Sequence, residues 1–142
     1  MTGSTHAVTN QAVPLEGRHG YDVFAADPLM PAALEREGGG WGATDVAAVG
    51  ALVGSAEYFR WAEQANRHEP VLVTHDRVGH RVDEVDFHPA YHSLMATAVG
   101  HGVHSAAYER PPGDGARPLR DAIMWALNQV EPAHTCPISM TT

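Results

Sequence analysis

The stretch RVDEVDFHPAYHSLMATAVG, residues 81–100, changes from a strand pattern to a helix pattern at its middle. In its first half Val85 and Phe87 alternate with acids, as on a strand with one apolar face, while Val82 is out of phase with them. A bulge near Asp83 and Glu84 would restore the alternation. At His88-Pro89 the period changes. Tyr91, Leu94, Met95, Ala98 and Val99 recur at i, i+3, i+4, i+7 and i+8, one face of a helix with proline at its first position.

Upstream, Val71 to His75 reads as a partner strand and Asp76 to Gly79 as the turn joining the two. A lone hairpin over about residues 71–87 is barely stable in water, so it is expected to lie on the helices or on a missing partner.

The remaining periodic stretches are helical, so the chain is predicted to be mainly α with this one small β-hairpin. A first helix is expected from Asp27, a good cap followed by Pro28, through Leu29, Ala33 and Leu34 to the run Gly38–Gly40. A second is expected to be capped at Thr44 and to carry Val46, Val49, Leu52 and Val53. Its small residues, Gly50 among them, permit close approach of a neighbour. A third starts near Ser55, continuous with the second or separate from it, and runs to about Arg67. The last, about Arg117 to Glu131, is apolar over much of its circumference and should be covered on two sides. Gly100 and Gly102 end the fourth, and Glu109 to Ala116, rich in Pro and Gly, reads as a surface loop.

With 142 residues the chain fits one domain. Asp and Glu number 17 against nine basic residues, a net charge of −8 that argues against bulk electrostatic binding of nucleic acid or anionic membrane. Lysine is absent, which excludes a Schiff-base lysine, a P-loop lysine and a Ser–Lys dyad. The single cysteine, Cys136, allows no internal disulfide and no cysteine-rich zinc site. No apolar signal region follows Met1, and the longest nearly continuous apolar run, Val46 to Val53, is far below the ~20 residues of a membrane span. A cytoplasmic location is expected.

Ten histidines invite a metal reading. His88 and His92 are four apart on a predicted helix, His101 and His104 follow, His75 and His80 flank the turn, and Asp83, Glu84 and Asp86 stand nearby. Three or four ligands must converge to hold zinc or iron. Against that, His88 sits where it can cap the helix backbone, and the acids suit a solvated strand edge. Structural roles are expected, and no metal site. His134 and Cys136, two apart, form no nucleophile–base pair, and Cys136 is expected to be a buried small residue beside a proline turn. Trp41, Trp61 and Trp125 are expected in the core or an interface. Gly38–Gly40 follows a helix, whereas a phosphate-cradling loop follows a strand and opens one.

Several stretches together resemble the AidB-like branch of the acyl-CoA dehydrogenase superfamily, flavoproteins linked to the adaptive response to alkylation. Thr5-His6-Ala7-Val8-Thr9-Asn10-Gln11 with Pro14-Leu15 resembles its opening, and Arg36-Glu37-Gly38 with Gly40-Trp41 its R-E-G-x-G-W element. Gly54-Ser55-Ala56-Glu57 and Ala65-Asn66-Arg67 match a helix pair. The block from Asp83 to His92 is similar to D-[DE]-V-x-F-H-P-A-[YW]-H. Gln129-Val130-Glu131 and Cys136-Pro137-Ile138-Ser139-Met140-Thr141 match Q-V-E…C-P-I-[ST]-M-T. Two loops depart from the pattern: Asn66 to Pro70, and Glu131 to Thr135 with its Pro132.

The resemblance implies the N-terminal helical domain of a three-part flavoprotein: an extended arm over residues 1–26, a helical domain over 27–135, and the start of a segment leading to a missing middle β-domain over 136–142. The C-terminal helical bundle would be missing too. FAD and the proton-abstracting glutamate would belong to those other parts. The chain alone is expected to bind no FAD, hold no catalytic residue and oxidise no acyl-CoA. Its carried-over role is scaffold, subunit contacts in a homo-oligomer, and a wall of the substrate pocket at Ser139, Met140 and Thr141. No nucleic acid or membrane is expected to bind this segment. A freestanding interaction module, docking on a full-length relative or another protein, is the alternative; a reading frame that continues beyond Thr142 into a β-rich segment would favour the flavoprotein.

Overall fold

The computed structural model describes residues 19–109, 111 and 113–141. Among the described residues seven helices and a two-stranded sheet follow one another: α1 (Leu29–Arg36), a 3-10 turn (Gly40–Gly42), α2 (Ala43–Val53), α3 (Ala56–Arg67), β1 (Val71–His75), β2 (Arg81–Asp86), α4 (Pro89–Gly100), α5 (Ala106–Glu109), α6 (Ala116–Asn128) and α7 (Thr135–Ser139).

The core forms where α2 packs on α6 and α3 on α4. Val46, Val49, Val53, Tyr58, Leu94, Ala98, Ile123, Ala126 and Leu127 meet there away from solvent. Helix α6 is covered on two sides, as its wide apolar stripe requires: α1 and α2 also lie against it, and α5 and α7 pack on it. On α4 the buried line is Ala90, Leu94 and Ala98, flanked by half-buried Tyr91 and Met95; Val99, expected on this face, is exposed because it lies past the edge of the stripe.

Helix starts follow local hydrogen bonding. Ser55 caps α3 by accepting the Tyr58 N–H at 3.1 Å, which separates α3 from α2. His88 caps α4 through Nδ1, which accepts from Ala90 N–H at 3.1 Å, with Pro89 behind it. Asp27 Oδ1 accepts from Leu29 N–H at 2.9 Å, so the expected capping bond forms although α1 starts two residues later. Thr44 does not cap α2. The 3-10 turn feeds directly into the helix and leaves Thr44 exposed inside its first turn. Helix α5 was not expected; its turn and the preceding loop bury Val103.

Residues 1–18, most of the expected arm, lie outside the described residues. Residues 22–26 form a turn rather than an extended strand, and Val23 and Phe24 enter the domain's own core. The small residues of α2 admit them: Val23 N–H donates to Gly50 O at 3.2 Å and Gly20 N–H to Gly54 O at 2.5 Å. A side chain at Gly54 would collide with the Tyr21 carbonyl.

The hairpin forms as read. Val71 pairs with Asp86, Leu72 with Val85 and Val73 with Glu84, after which the register slips so that His75 pairs with Arg81. The extra residue belongs to β2 at Val82–Asp83, and Asp83 takes φ +49°, the left-handed region a bulge uses. Of the two expected supports, the helices or a missing partner, the helices are not the one used. Every residue of both strands is exposed, with Val71 and Leu72 each at 60% and Val85 at 51%.

Candidate functional site

Helix α6 ends at Asn128, and the turn that follows returns the chain toward α3 and α4. This turn buries a carboxylate and an imidazole together. Glu131 is 3% exposed and His134 fully buried. Glu131 Oε2 accepts from His134 N–H at 2.9 Å and lies 2.7 Å from His134 Nδ1, while Oε1 accepts from Ala133 N–H at 3.0 Å and from Asn66 Nδ2 at 3.4 Å. An ionised carboxylate can only accept, so Nδ1 carries the hydrogen. Nε2 then faces Tyr58 Oη at 3.4 Å. Burial, and secondarily the Glu131 charge, push the Tyr58 phenol far up; it stays protonated and serves as donor. For Glu131 itself burial raises the carboxyl, but the His134 and Ala133 N–H groups and the His134 ring together hold it below its ordinary value of 4.5.

Above this buried group opens a cleft of about 310 Å³. Asn66, His68, Glu69 and Pro70 line one side, Phe87, His88 and Tyr91 another, and Glu131, Ala133 and His134 the floor. The two loops that depart from the family pattern therefore meet here. His68 and His88 stack with ring centroids 4.7 Å apart, as do Phe87 and Tyr91 at 4.4 Å, so the feet of the hairpin are held by ring contacts.

This arrangement holds the imidazole between a carboxylate and a phenol. The one cysteine, Cys136, is exposed rather than buried. Helix α7 turns Thr135 and Ile138 inward, three residues apart, and so leaves Cys136 on the outer face. Among the described residues no three His, Cys, Asp or Glu side chains converge on a metal. His80 instead contacts Asp76 at 3.3 Å and His75 contacts Thr74, while His88 serves as a cap.

The candidate pocket-wall residues lie elsewhere, at the end of α7. Ser139 Oγ donates to Cys136 O at 2.7 Å, and Met140 is 80% exposed. Thr141 lies against the α4–α5 region: its Oγ1 is 2.7 Å from Ile138 O and 3.1 Å from His104 O, which share its one hydrogen, and its carbonyl accepts from Tyr108 Oη at 2.6 Å. The Glu131–His134–Tyr58 group was not singled out from sequence. A Glu and His three apart just after an apolar helix, with Pro132 enforcing a turn between them, were the available signal. Trp61 and Trp125 pack against the core, but Trp41 is half exposed and donates from Nε1 to Asp114 O at 3.0 Å.

Residues 10–142 match the family described as the adaptive response protein AidB N-terminal domain. AidB of Escherichia coli strain K12 is 37% identical over 141 residues, which is 99% of this chain and 26% of that protein. Caenorhabditis elegans ACDH-11, solved in complex with C11-CoA, superposes with a TM-score of 0.71 at 24% identity, over 96% of this chain and 23% of its own. The chain thus spans about a quarter of the length of these relatives. It belongs to the AidB N-terminal domain family, the helical N-terminal domain of acyl-CoA dehydrogenase-like proteins.

Proposed function

We propose that this domain serves an FAD-dependent, cytoplasmic flavoprotein of the alkylation response as its helical scaffold, one wall of its acyl-CoA pocket and part of its subunit contacts. The observation that carries this reading is the family match over residues 10–142 of a chain that spans only a quarter of its relatives. Within it, Ser139, Met140 and Thr141 contribute the pocket wall. The bond from Tyr108 and the contact with His104 set the path of that segment.

The cleft of this domain does not fit FAD. Its lining carries two carboxylates, Glu69 and Glu131, and no arginine, the wrong sign for a dinucleotide's pyrophosphate. The flavin and the catalytic base belong to the middle β-domain and C-terminal helical bundle of the parent, and this domain acts on the reaction through shape. Its excess of acidic residues gives nucleic acid no electrostatic foothold here.

The reading is tested by exchanging this chain for the matching segment of E. coli AidB. A chimera that purifies folded with the flavin content of its parent supports the scaffold role. A folded chimera devoid of flavin, with the unaltered protein loaded, would contradict it.

A further inference from the structure

The cleft above Glu131 and His134 is negatively charged. Two carboxylates line it, Glu69 and Glu131, and no arginine does. Glu131 is saturated by the N–H groups of its own turn and by the His134 ring, so it contributes charge rather than a free oxygen. Glu69 is exposed and, among the described residues, has no ion-pair or hydrogen-bond partner. Arg67, the nearest arginine along the chain, is held by Glu63. His88 uses a ring lone pair on Ala90 N–H and brings no positive charge.

We infer that the cleft receives the guanidinium of an arginine carried on an apolar stretch of a partner polypeptide. Its sign excludes phosphates and carboxylates. Among the described residues no three His, Cys, Asp or Glu side chains converge on a metal ion. Of the remaining cations, guanidinium suits walls made of rings, because it is planar, weakly hydrated and stacks on aromatic faces. The His68–His88 and Phe87–Tyr91 stacks supply those walls. A cleft of about 310 Å³ lies at the small end of ligand sites, a size for a side chain rather than for a cofactor.

The hairpin favours a polypeptide over a free cation. Side chains alternate along a strand, so Leu72 shares a face with Pro70, and Val85 with Phe87. Leu72 and Val85 pair across the two strands. Pro70 and Phe87 line the cleft, while Leu72 and Val85 are exposed. One apolar stripe therefore runs out of the cleft along the hairpin. A free cation leaves that stripe bare, whereas an arginine with apolar neighbours matches cleft and stripe together.

The test titrates the full, isotope-labelled chain with a blocked pentapeptide whose central arginine is flanked by valines, and follows amide signals by NMR. Those of Asn66, Glu69, Leu72 and Tyr91 are expected to shift. The matching peptide with neutral citrulline in place of arginine should bind at least about five-fold more weakly. Glu69→Gln should weaken the arginine peptide by about two- to five-fold, and Glu69→Arg should abolish its shifts, with the rest of the amide spectrum in place because the position is exposed. Equal affinity for the two peptides, shifts that persist in Glu69→Arg, or no shift at the cleft would each overturn the inference. So would blocked arginine alone binding as tightly as the pentapeptide, since the hairpin stripe would then contribute nothing.

Discussion

His134 Nδ1 lies 2.7 Å from Glu131 Oε2, and both side chains are shut away from water between α3 and the end of α6. Two consecutive backbone N–H groups, of Ala133 and His134, also point at this carboxylate. The turn that follows α6 is thus built around one negative charge. Glu131→Ala leaves the imidazole and those N–H groups without their acceptor, and a buried donor left unsatisfied costs about 1–3 kcal/mol. Urea unfolding should show it. Tyr58→Phe removes only the distant donor to Nε2 and should cost no more than about 1 kcal/mol.

The same carboxylate gives stability an acid limb. Its folded pKa is depressed, so it contributes stability that is fully present above the ordinary value of 4.5 and is lost as pH falls through the lower, folded value. Denaturation midpoints measured down the acid range should fall steeply for the unaltered chain. Glu131→Gln should be less stable at neutral pH and flatter across that window.

Gly115 and Gly113 both take positive φ, +83° and +91°, but only Gly115 is crowded. A methyl there would enter the Gly38 carbonyl, whereas nothing stands near one at Gly113. Gly113→Ala should cost the backbone conformation alone, about 1 kcal/mol, within the range for a non-glycine left-handed residue. Gly115→Ala should cost at least about 1–3 kcal/mol more, because the α1–α6 junction must part. Thermal unfolding of the pair separates the two effects.

Two threonine and serine positions divide similarly. Ser55→Ala removes the cap of α3 and should cost about 1 kcal/mol. Thr44→Ala lies on an exposed first turn with no capping role and should stay within about 0.5 kcal/mol of the parent.

Exposure of Cys136 makes it accessible in the folded state. A thiol reagent should modify it at the same rate with and without denaturant, within a few-fold. Protection in the native state would place it in the core instead.

What could be read from the chain was whatever depended on near neighbours. The β-to-α switch at His88-Pro89, the start of a helix near Ser55 and the Val71–His75 strand are local, and the structure has them where the residues put them. The bulge was legible as a phase error at Val82 and falls one residue earlier than placed. Cys136 reads as a small buried residue beside a proline turn, yet the short helix α7 presents Thr135 and Ile138 rather than Cys136 inward. The Glu131–His134–Tyr58 group escaped notice because Tyr58 stands more than seventy residues away, and only the packing of α3 on the turn after α6 brings it there.

This domain is proposed to shape an acyl-CoA dehydrogenase-like flavoprotein without itself holding the flavin. The most direct test is to incubate the purified chain with excess FAD, remove unbound ligand by gel filtration, and record the visible spectrum of the protein fraction. Protein absorbance with no flavin band is expected. A flavin band at one equivalent per folded chain would contradict it.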